Sequence, residues 1–277
     1  MKKIISFLIV FIYCSVIHSQ IREYGIFAGG AYYIGDLNSV HYSQQQSALG
    51  MVYKYNSPNK RTSFRLHLMH NQIKANDFIT GIPDKIRRNL SFKNNIIEIG
   101  SVFEVNFFDF QPGQNNPELG SFGTPYFFGG LGLIRSNPKA NLDGDWVELQ
   151  PLTTEGVKYS RNQIVIPFGF GVKVNFTHHI SLSFEYGIRK TFTDYLDDVS
   201  GTYPDLDLLY KDVGVTAFRL SNRVKENDIV EGSFSPSNKI IDYSGMQRGN
   251  SANKDWYMVS GIVLTYELFS DSSCPKW

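Results

Sequence analysis

The spacing His179-Ile180-Ser181, with Ser183 and Glu185 following on alternate positions, is the arrangement in this chain that comes nearest to a hydrolytic set. A serine, an imidazole and a carboxylate acting together attack esters, and some membrane barrels hydrolyse lipid this way. Such a triad is defined by geometry rather than by spacing. His179 follows the tight turn Thr177-His178 and so belongs to a rim, while Ser181, Ser183 and Glu185 share the parity that faces away from lipid. They read as a turn residue and interior polar packing, and no catalytic residue is expected.

Acid concentrates at Asp194, Asp197, Asp198, Asp205 and Asp207, and a hard cation such as calcium takes several carboxylate oxygens. No EF-hand spacing is present, so the segment reads as a solvated loop face, with no metal and no cofactor. Lys85, Arg87 and Arg88 could meet lipopolysaccharide phosphates, but they too read as an ordinary solvated surface. The glycines Gly129, Gly130, Gly169 and Gly171 lie inside alternating segments rather than between a strand and a helix. They are therefore not nucleotide loops, and they suit strand bending or close packing of neighbouring aromatic rings.

The elements that position these groups are strands. From Ile164 to Phe176 every second residue is apolar, and Ile180 to Ile188 repeats the pattern with small, polar or charged residues on the other face. Trp256 to Leu268 reads as a closing strand. Ile97 to Phe107 and the segment around Phe64 to Asn71 alternate in the same way, whereas Leu49 to Tyr55 and Tyr126 to Ile134 do so more weakly. Tyr24 to Tyr33 makes the first strand. Eight crossings of about ten residues each predict an all-β protein, an eight-stranded antiparallel transmembrane β-barrel. Connections alternate in length: Asn56 to Lys60, Phe110 to Phe122 and Thr177-His178 at one end, and Ile34 to Gln46, Ile73 to Leu90, Arg135 to Asn162 and Thr193 to Lys254 at the other. In such barrels the short turns face the periplasm and the long loops face outward.

Charge supports this parity. Arg65, Glu98, Glu104, Lys173, Glu185, Arg189 and Glu267 all fall on the non-lipid face. A lysine or arginine facing lipid at the midplane would cost about 2 to 4 kcal/mol. Turned inward, opposite charges can pair across a lumen that eight strands leave narrow enough for side chains to fill. A plugged structural barrel is expected rather than a general pore. Tyr32, Tyr33, Tyr55, Phe107, Tyr126, Trp256 and Phe269 suit aromatic girdles at the two interfaces.

The chain opens with Lys2 and Lys3, an apolar run from Ile4 to Ile17 and the small Ser19, the anatomy of a secretory signal. Residues 1–19 are read as that signal, 20–269 as the barrel and 270–277 as a periplasmic tail. Tyr13 is too bulky before Cys14 for lipoprotein processing. With Cys14 removed, Cys274 is the remaining thiol in an oxidising compartment, either free or in an intermolecular disulfide. The formal net charge of +1 implies no nucleic-acid partner. The 21 Phe and 16 Tyr residues coexist with a slightly polar mean hydropathy, which alternation explains.

Several segments carry a resemblance to a known group. Tyr32-Tyr33-Ile34-Gly35-Asp36-Leu37-Asn38, the stretch from Asn137-Pro138-Lys139 through Trp146 to Thr154-Glu155-Gly156, Thr193-Asp194-Tyr195-Leu196-Asp197-Asp198-Val199-Ser200, and Arg248-Gly249-Asn250 followed by Lys254-Asp255-Trp256-Tyr257 are similar to the Bacteroidetes outer-membrane barrels related to PorG, a type IX secretion component. The resemblance runs along nearly the whole chain after the signal. It implies an outer-membrane location amid lipid, a partner role beside a periplasmic PorK and PorN ring, and no catalytic residue. Beside it, Cys274 becomes a candidate for a disulfide with a ring lipoprotein.

Overall fold

The computed structural model describes residues 21–113, 122–224 and 243–268. The proposed signal, Phe269, the tail and Cys274 lie outside these residues. Among the described residues ten strands occur in chain order: β1 (Ile21–Ile34), β2 (Gln46–Asn56), β3 (Thr62–Asn76), β4 (Ser91–Asn106), β5 (Gly123–Arg135), β6 (Pro138–Leu142), β7 (Asp145–Glu148), β8 (Asn162–Asn175), β9 (Ile180–Thr191) and β10 (Trp256–Leu268). Helices α1 (Pro83–Arg88), α2 (Leu206–Asp212) and α3 (Val215–Ser221) sit in the connections.

Antiparallel pairing runs β1-β2-β3-β4-β5-β8-β9-β10 and returns to β1, so eight strands form a closed barrel. Closure leaves no sheet edge, which is the condition for a sheet to cross a bilayer. The remaining pair, β6 and β7, is a hairpin hung on the end of β4, where Lys93 pairs with Lys139. The sequence reading treats the whole span from Arg135 to Asn162 as loop. The hairpin is short, and only Asn141 to Asp145 around its turn carries a local signal.

Side-chain parity gives the barrel its solvent. On the outside, Ile26, Met51, Leu66, Leu68, Ile97, Ile99, Phe103, Leu131, Leu133, Phe170, Phe184 and Ile262 are exposed, a belt that water would not tolerate and lipid would. On the inside, Glu23, Lys54, Arg65, Glu98, Glu104, Lys173, Glu185, Arg189 and Glu267 are buried. The strands thus carry the pattern of a transmembrane barrel, apolar outward and polar inward.

On β3 and β4 this pattern inverts part-way along. Outward residues on β3 pass from Leu66 and Leu68 to His70, Gln72 and Lys74, while those on β4 pass from Ile99 and Ile97 to Asn95 and Lys93. Inward residues change in the opposite sense, to Ile73, Ala75, Phe92 and Ile96, all buried. His70 pairs with Ile97, which pairs with Arg135, so the change falls at one height around the wall. Above it the chain behaves as a water-soluble domain with an apolar core, to which Leu149, Leu196, Val199 and Leu220 also belong. The sequence reading ends the third strand near Asn71 and opens a loop at Ile73. The switch in polarity hides the continuation, because the strand goes on to Asn76 with its faces exchanged.

Two of the residues assigned to the interfacial girdles are in fact interior. Tyr33 and Tyr126 point inward and are fully buried. Tyr126 has room because neighbouring Gly171 carries no side chain; a Cβ there would lie 2.8 Å from the ring. Tyr32 faces outward but is covered by the first long connection, which folds down over the wall: its hydroxyl lies 3.0 Å from His41 Nδ1 and 2.7 Å from the Tyr186 hydroxyl. Trp256 does sit at the rim, beneath the Lys190 ammonium at 5.7 Å. Phe107, 5.3 Å from Phe127, marks the other end.

Candidate functional site

Two networks built on ion pairs occupy the lumen among the described residues. Toward the short-turn end, Glu104 gathers Lys173 at 2.8 Å, Lys54 at 3.3 Å and Arg65 at 3.3 Å. Arg65 also pairs with Glu185, which accepts a further bond from the Tyr126 hydroxyl. Nearer the mouth, Glu98 accepts from Tyr257 at 2.8 Å and Asn71 at 3.2 Å, lies 2.8 Å from His67 Nε2, and meets Arg189 at 3.4 Å. Buried charges persist only when paired and hydrogen-bonded, and each carboxylate here has several partners. Lumen space lined by Phe27, Arg65, His67 and Arg189 amounts to about 10 Å³. That is room for a single water.

Sequence reasoning missed Lys54 and Glu23 as members of this interior. Glu23 accepts from Asn56 at 2.6 Å and from Thr265. Lys54 stands between Tyr53 and Tyr55, and Gly50 blurs the alternation of β2, so its parity was recoverable only from the register with Arg65 on β3. Glu267 is buried on β10 apart from both networks.

The hydrolytic set is not assembled. Ser181 donates to Asn175 at 2.9 Å, Glu185 is held by Arg65, and His179 is exposed at the short-turn end against the Tyr266 ring.

The mouth is closed by the segment Thr193–Ser200, and here the acidic residues depart from expectation. Asp194, Asp197 and Asp198 are buried rather than solvated. Their sequence points to solvent because nothing local announces that a polar loop will enter a barrel. Leu196 anchors the plug: its carbonyl accepts from Asn94 at 2.7 Å, and its N–H donates to Asp255 at 2.9 Å. The Tyr33 hydroxyl meets Asp197, and it also lies 2.8 Å from Asp255 Oδ1. A Cβ on Gly35 would fall 2.2 Å from that Asp255 oxygen, so any side chain there would push the Tyr33 and Asp255 groups out of place. Asp198 sits in the left-handed region at φ 68° and is held by the hydroxyls of Thr154 and Tyr159, the latter at 2.7 Å. By contrast, Asp205 caps α2 through Asp207 N–H and Leu208 N–H, and both aspartates are exposed.

An arginine–glutamate pair fastens the plug from above. Arg248 meets Glu155 at 2.9 Å and donates to the Asp198 carbonyl at 2.6 Å, with both side chains buried. Glu155 accepts in turn from Ser200 N–H at 2.9 Å and Gly201 N–H at 3.0 Å. Tyr195, stacked on Tyr159 with centroids 4.5 Å apart, reaches the same carboxylate. Gly156 takes φ 73° to turn the chain away after Glu155. Asp36 accepts from Asn250 N–H at 2.8 Å, and a Cβ on Gly249 would meet its carboxylate at 2.5 Å. Arg88 is likewise not a solvated cation: it pairs with Asp77 at 2.7 Å and donates to the carbonyls of Arg248 and Asp36.

Burial sets the electrostatics of the plug. It pushes the Asp194 and Asp198 carboxyls up to about 6, against the opposing pull of Arg248 on Asp198. Asp197 and Asp255 are raised well above the usual carboxylate range, by burial first and then by repulsion from other aspartates, Asp255 in the case of Asp197 and Asp194 in the case of Asp255. Among the described residues no cluster of side chains has metal-binding geometry.

Of the loop residues behind the PorG-like resemblance, Gly35, Asp36, Glu155, Gly156, Asp194, Tyr195, Asp197, Asp198, Arg248, Gly249 and Asp255 lie in or against this plug. Trp146 does not; it is exposed on β7, under the Lys93 ammonium at 5.8 Å.

No curated protein matches the chain. Among solved structures, Neisserial surface protein A is similar at 11% identity and TM-score 0.41, covering 91% of this chain and 98% of that one. Ail, the attachment invasion locus protein of Yersinia pestis, is similar at 8% identity and TM-score 0.38, covering 90% and 97%. The outer membrane protein OprG from Pseudomonas aeruginosa is similar at 9% identity and TM-score 0.34, covering 90% and 96%. These likenesses are remote, and the architecture rests on the closed strand pairing. At the level of family, residues 2–214 match the model described as Domain of unknown function (DUF6089), and the chain belongs to that family.

Proposed function

We propose that this protein is a non-enzymatic outer-membrane barrel of the type IX secretion system, one that anchors or steadies a periplasmic ring of PorK and PorN type. The long-loop end then faces outward, and the short turns and tail face the ring. One observation carries the reading: segments that resemble PorG-related barrels, scattered from Gly35 to Asp255 in sequence, meet around one largely buried plug at the barrel mouth. A shared plug is a reason for those residues to recur together. The packed lumen supports a structural rather than a conducting role. Deleting the protein is expected to abolish export of cargo proteins, and the tagged barrel, purified from mildly solubilised outer membranes, to bring ring components with it; intact export in the deletion strain sinks the proposal.

The proposed link through Cys274 is tested separately, because that residue lies outside the described structure. Membrane extracts run with and without reductant should lose a high-mass band in the Cys274→Ser variant; unchanged bands leave the thiol without a partner. A second reading, a standalone surface-binding barrel, is favoured by a cavity of about 490 Å³ at the long-loop end. Under it, deletion leaves secretion intact and the barrel purifies alone.

A further inference from the structure

The cavity just mentioned lies between Asp36, helix α1 and the segment 243–250. Its size falls within the range of small-molecule sites. Most of the charge on its walls is already committed. Arg88 is paired with Asp77, Arg248 with Glu155, and Arg87 with Asp84 at 3.5 Å. Two lining charges are left over: Asp36, whose carboxylate accepts from Asn250 N–H, and Lys85. The Lys85 side chain is half-buried and takes part in no hydrogen bond or ion pair among the described residues. Burial first and then the positive charge of Arg88 disfavour its charge, and the negative charges of Asp77, Asp36 and Asp197 offset them only in part, so its pKa is lowered. A cation placed this way is relieved by an anion.

The remaining wall is of another kind. Tyr203 and Tyr243 present rings 5.6 Å apart at 49° to each other, next to Met246 and the amide of Gln247. Tilted rings offer an apolar face with a polar tip but no parallel slot for a flat base. Such a wall suits a saccharide, whose ring has one apolar face and hydroxyls at its edge. Asp36 and Gln247 can accept from those hydroxyls.

We propose that this cavity binds a phosphorylated or otherwise anionic sugar, with Lys85 on the anionic group and Tyr243 against the sugar ring. The proposal stands on the cap alone, the loops and plug gathered at the barrel mouth, and survives failure of the secretion reading.

The test uses the full-length mature barrel in phospholipid nanodiscs, titrated calorimetrically with glucose 1-phosphate, glucose and inorganic phosphate. Glucose 1-phosphate should bind roughly tenfold or more tightly than either single-feature probe, a difference of about 1.4 kcal/mol. Lys85→Ala and Tyr243→Ala should each lose roughly tenfold, and Lys85→Arg should keep most of the affinity. Heat-shifted mobility on gels checks that each variant is folded; Lys85→Arg and Tyr243→Ala carry the test if Lys85→Ala fails that check. Glucose 1-phosphate binding no better than phosphate, or equal affinity in folded Lys85→Ala, overturns the proposal. Repeating the titration in nanodiscs that contain lipopolysaccharide identifies the source of the sugar. Competition assigns the site to headgroup sugars of the same leaflet, and unchanged binding assigns it to a soluble saccharide.

Discussion

Asp197 and Asp255 aim their carboxylates at one and the same hydroxyl, that of Tyr33. A phenol has one proton and cannot donate to both. Neither acid is in an ion pair among the described residues, and their other oxygens accept from the N–H groups of Val199 and Leu196, each at 2.9 Å. One extra proton in this triangle would satisfy both contacts at once, which is the state that burial of the two acids favours.

The pH dependence follows from that proton. These acids bind protons more tightly in the folded cap than in a released loop, so their contribution is complete below the ordinary carboxylate range and is lost as pH rises through the raised values. Those values are about 6 for Asp194 and Asp198, and burial raises Asp197 and Asp255 well above the ordinary carboxylate range. Amide exchange of residues 193–200 should be slower at pH 5 than at pH 8, after correction for intrinsic rates. Asp255→Asn supplies an N–H for the Tyr33 oxygen and keeps an acceptor for Leu196. It should flatten the dependence, and a slope equal to wild type would count against the shared proton.

Removing Arg248 should open the cap without unfolding the barrel. Arg248→Ala leaves Glu155 buried and unpaired, a loss of about 3 to 5 kcal/mol in comparable buried pairs. Limited proteolysis should then cut within 193–201 while the heat-shifted band persists. Arg248→Lys should rescue little, because one ammonium cannot reach Glu155, the Asp198 carbonyl and the Ser221 carbonyl together.

Inside the barrel the order of effects is set by how many cations each acid serves. Glu104→Ala strands Lys54 and Lys173 and leaves Arg65 with Glu185 alone, whereas Glu98→Ala strands Arg189 and removes the carboxylate beside His67 Nε2. Both should lower the unfolding temperature in detergent, Glu104→Ala the more, each by the equivalent of several kcal/mol. The reverse order would show that the Glu98 network carries the greater share.

The height of the lipid boundary is testable on one face of β4. Ile99→Arg places charge just inside the apolar belt and should cost a measurable part of the about 2 to 4 kcal/mol that such a charge costs at the midplane, read as folding into vesicles. Asn95→Arg, two pleats further on and past the change in polarity, should cost nothing measurable. Equal losses would move the boundary.

Within the lipid belt the architecture was legible, because alternation of Ile164 to Phe176 or of Trp256 to Leu268 reports the solvent on each side directly. The closing strand, Trp256–Leu268, has the same limits in both readings. The mouth was not legible. Thr193–Ser200 is rich in aspartate and reads as hydrated, and its burial depends on partners at Tyr33, Asn94, Glu155 and Asp255 that are remote in sequence. Glycine at 35 or 249 gave no cue of its own, since the crowding that requires it comes from other loops.

Strands β3 and β4 run on by about six residues after their faces exchange character. At the rise and tilt typical of such barrels, that lifts their tips about 15 Å clear of the hydrocarbon. The cap is thus mounted on a stiff pedestal rather than tethered by slack chain, and a macromolecule can grasp it without wading through headgroups. Force applied there passes straight into the hydrogen-bonded wall.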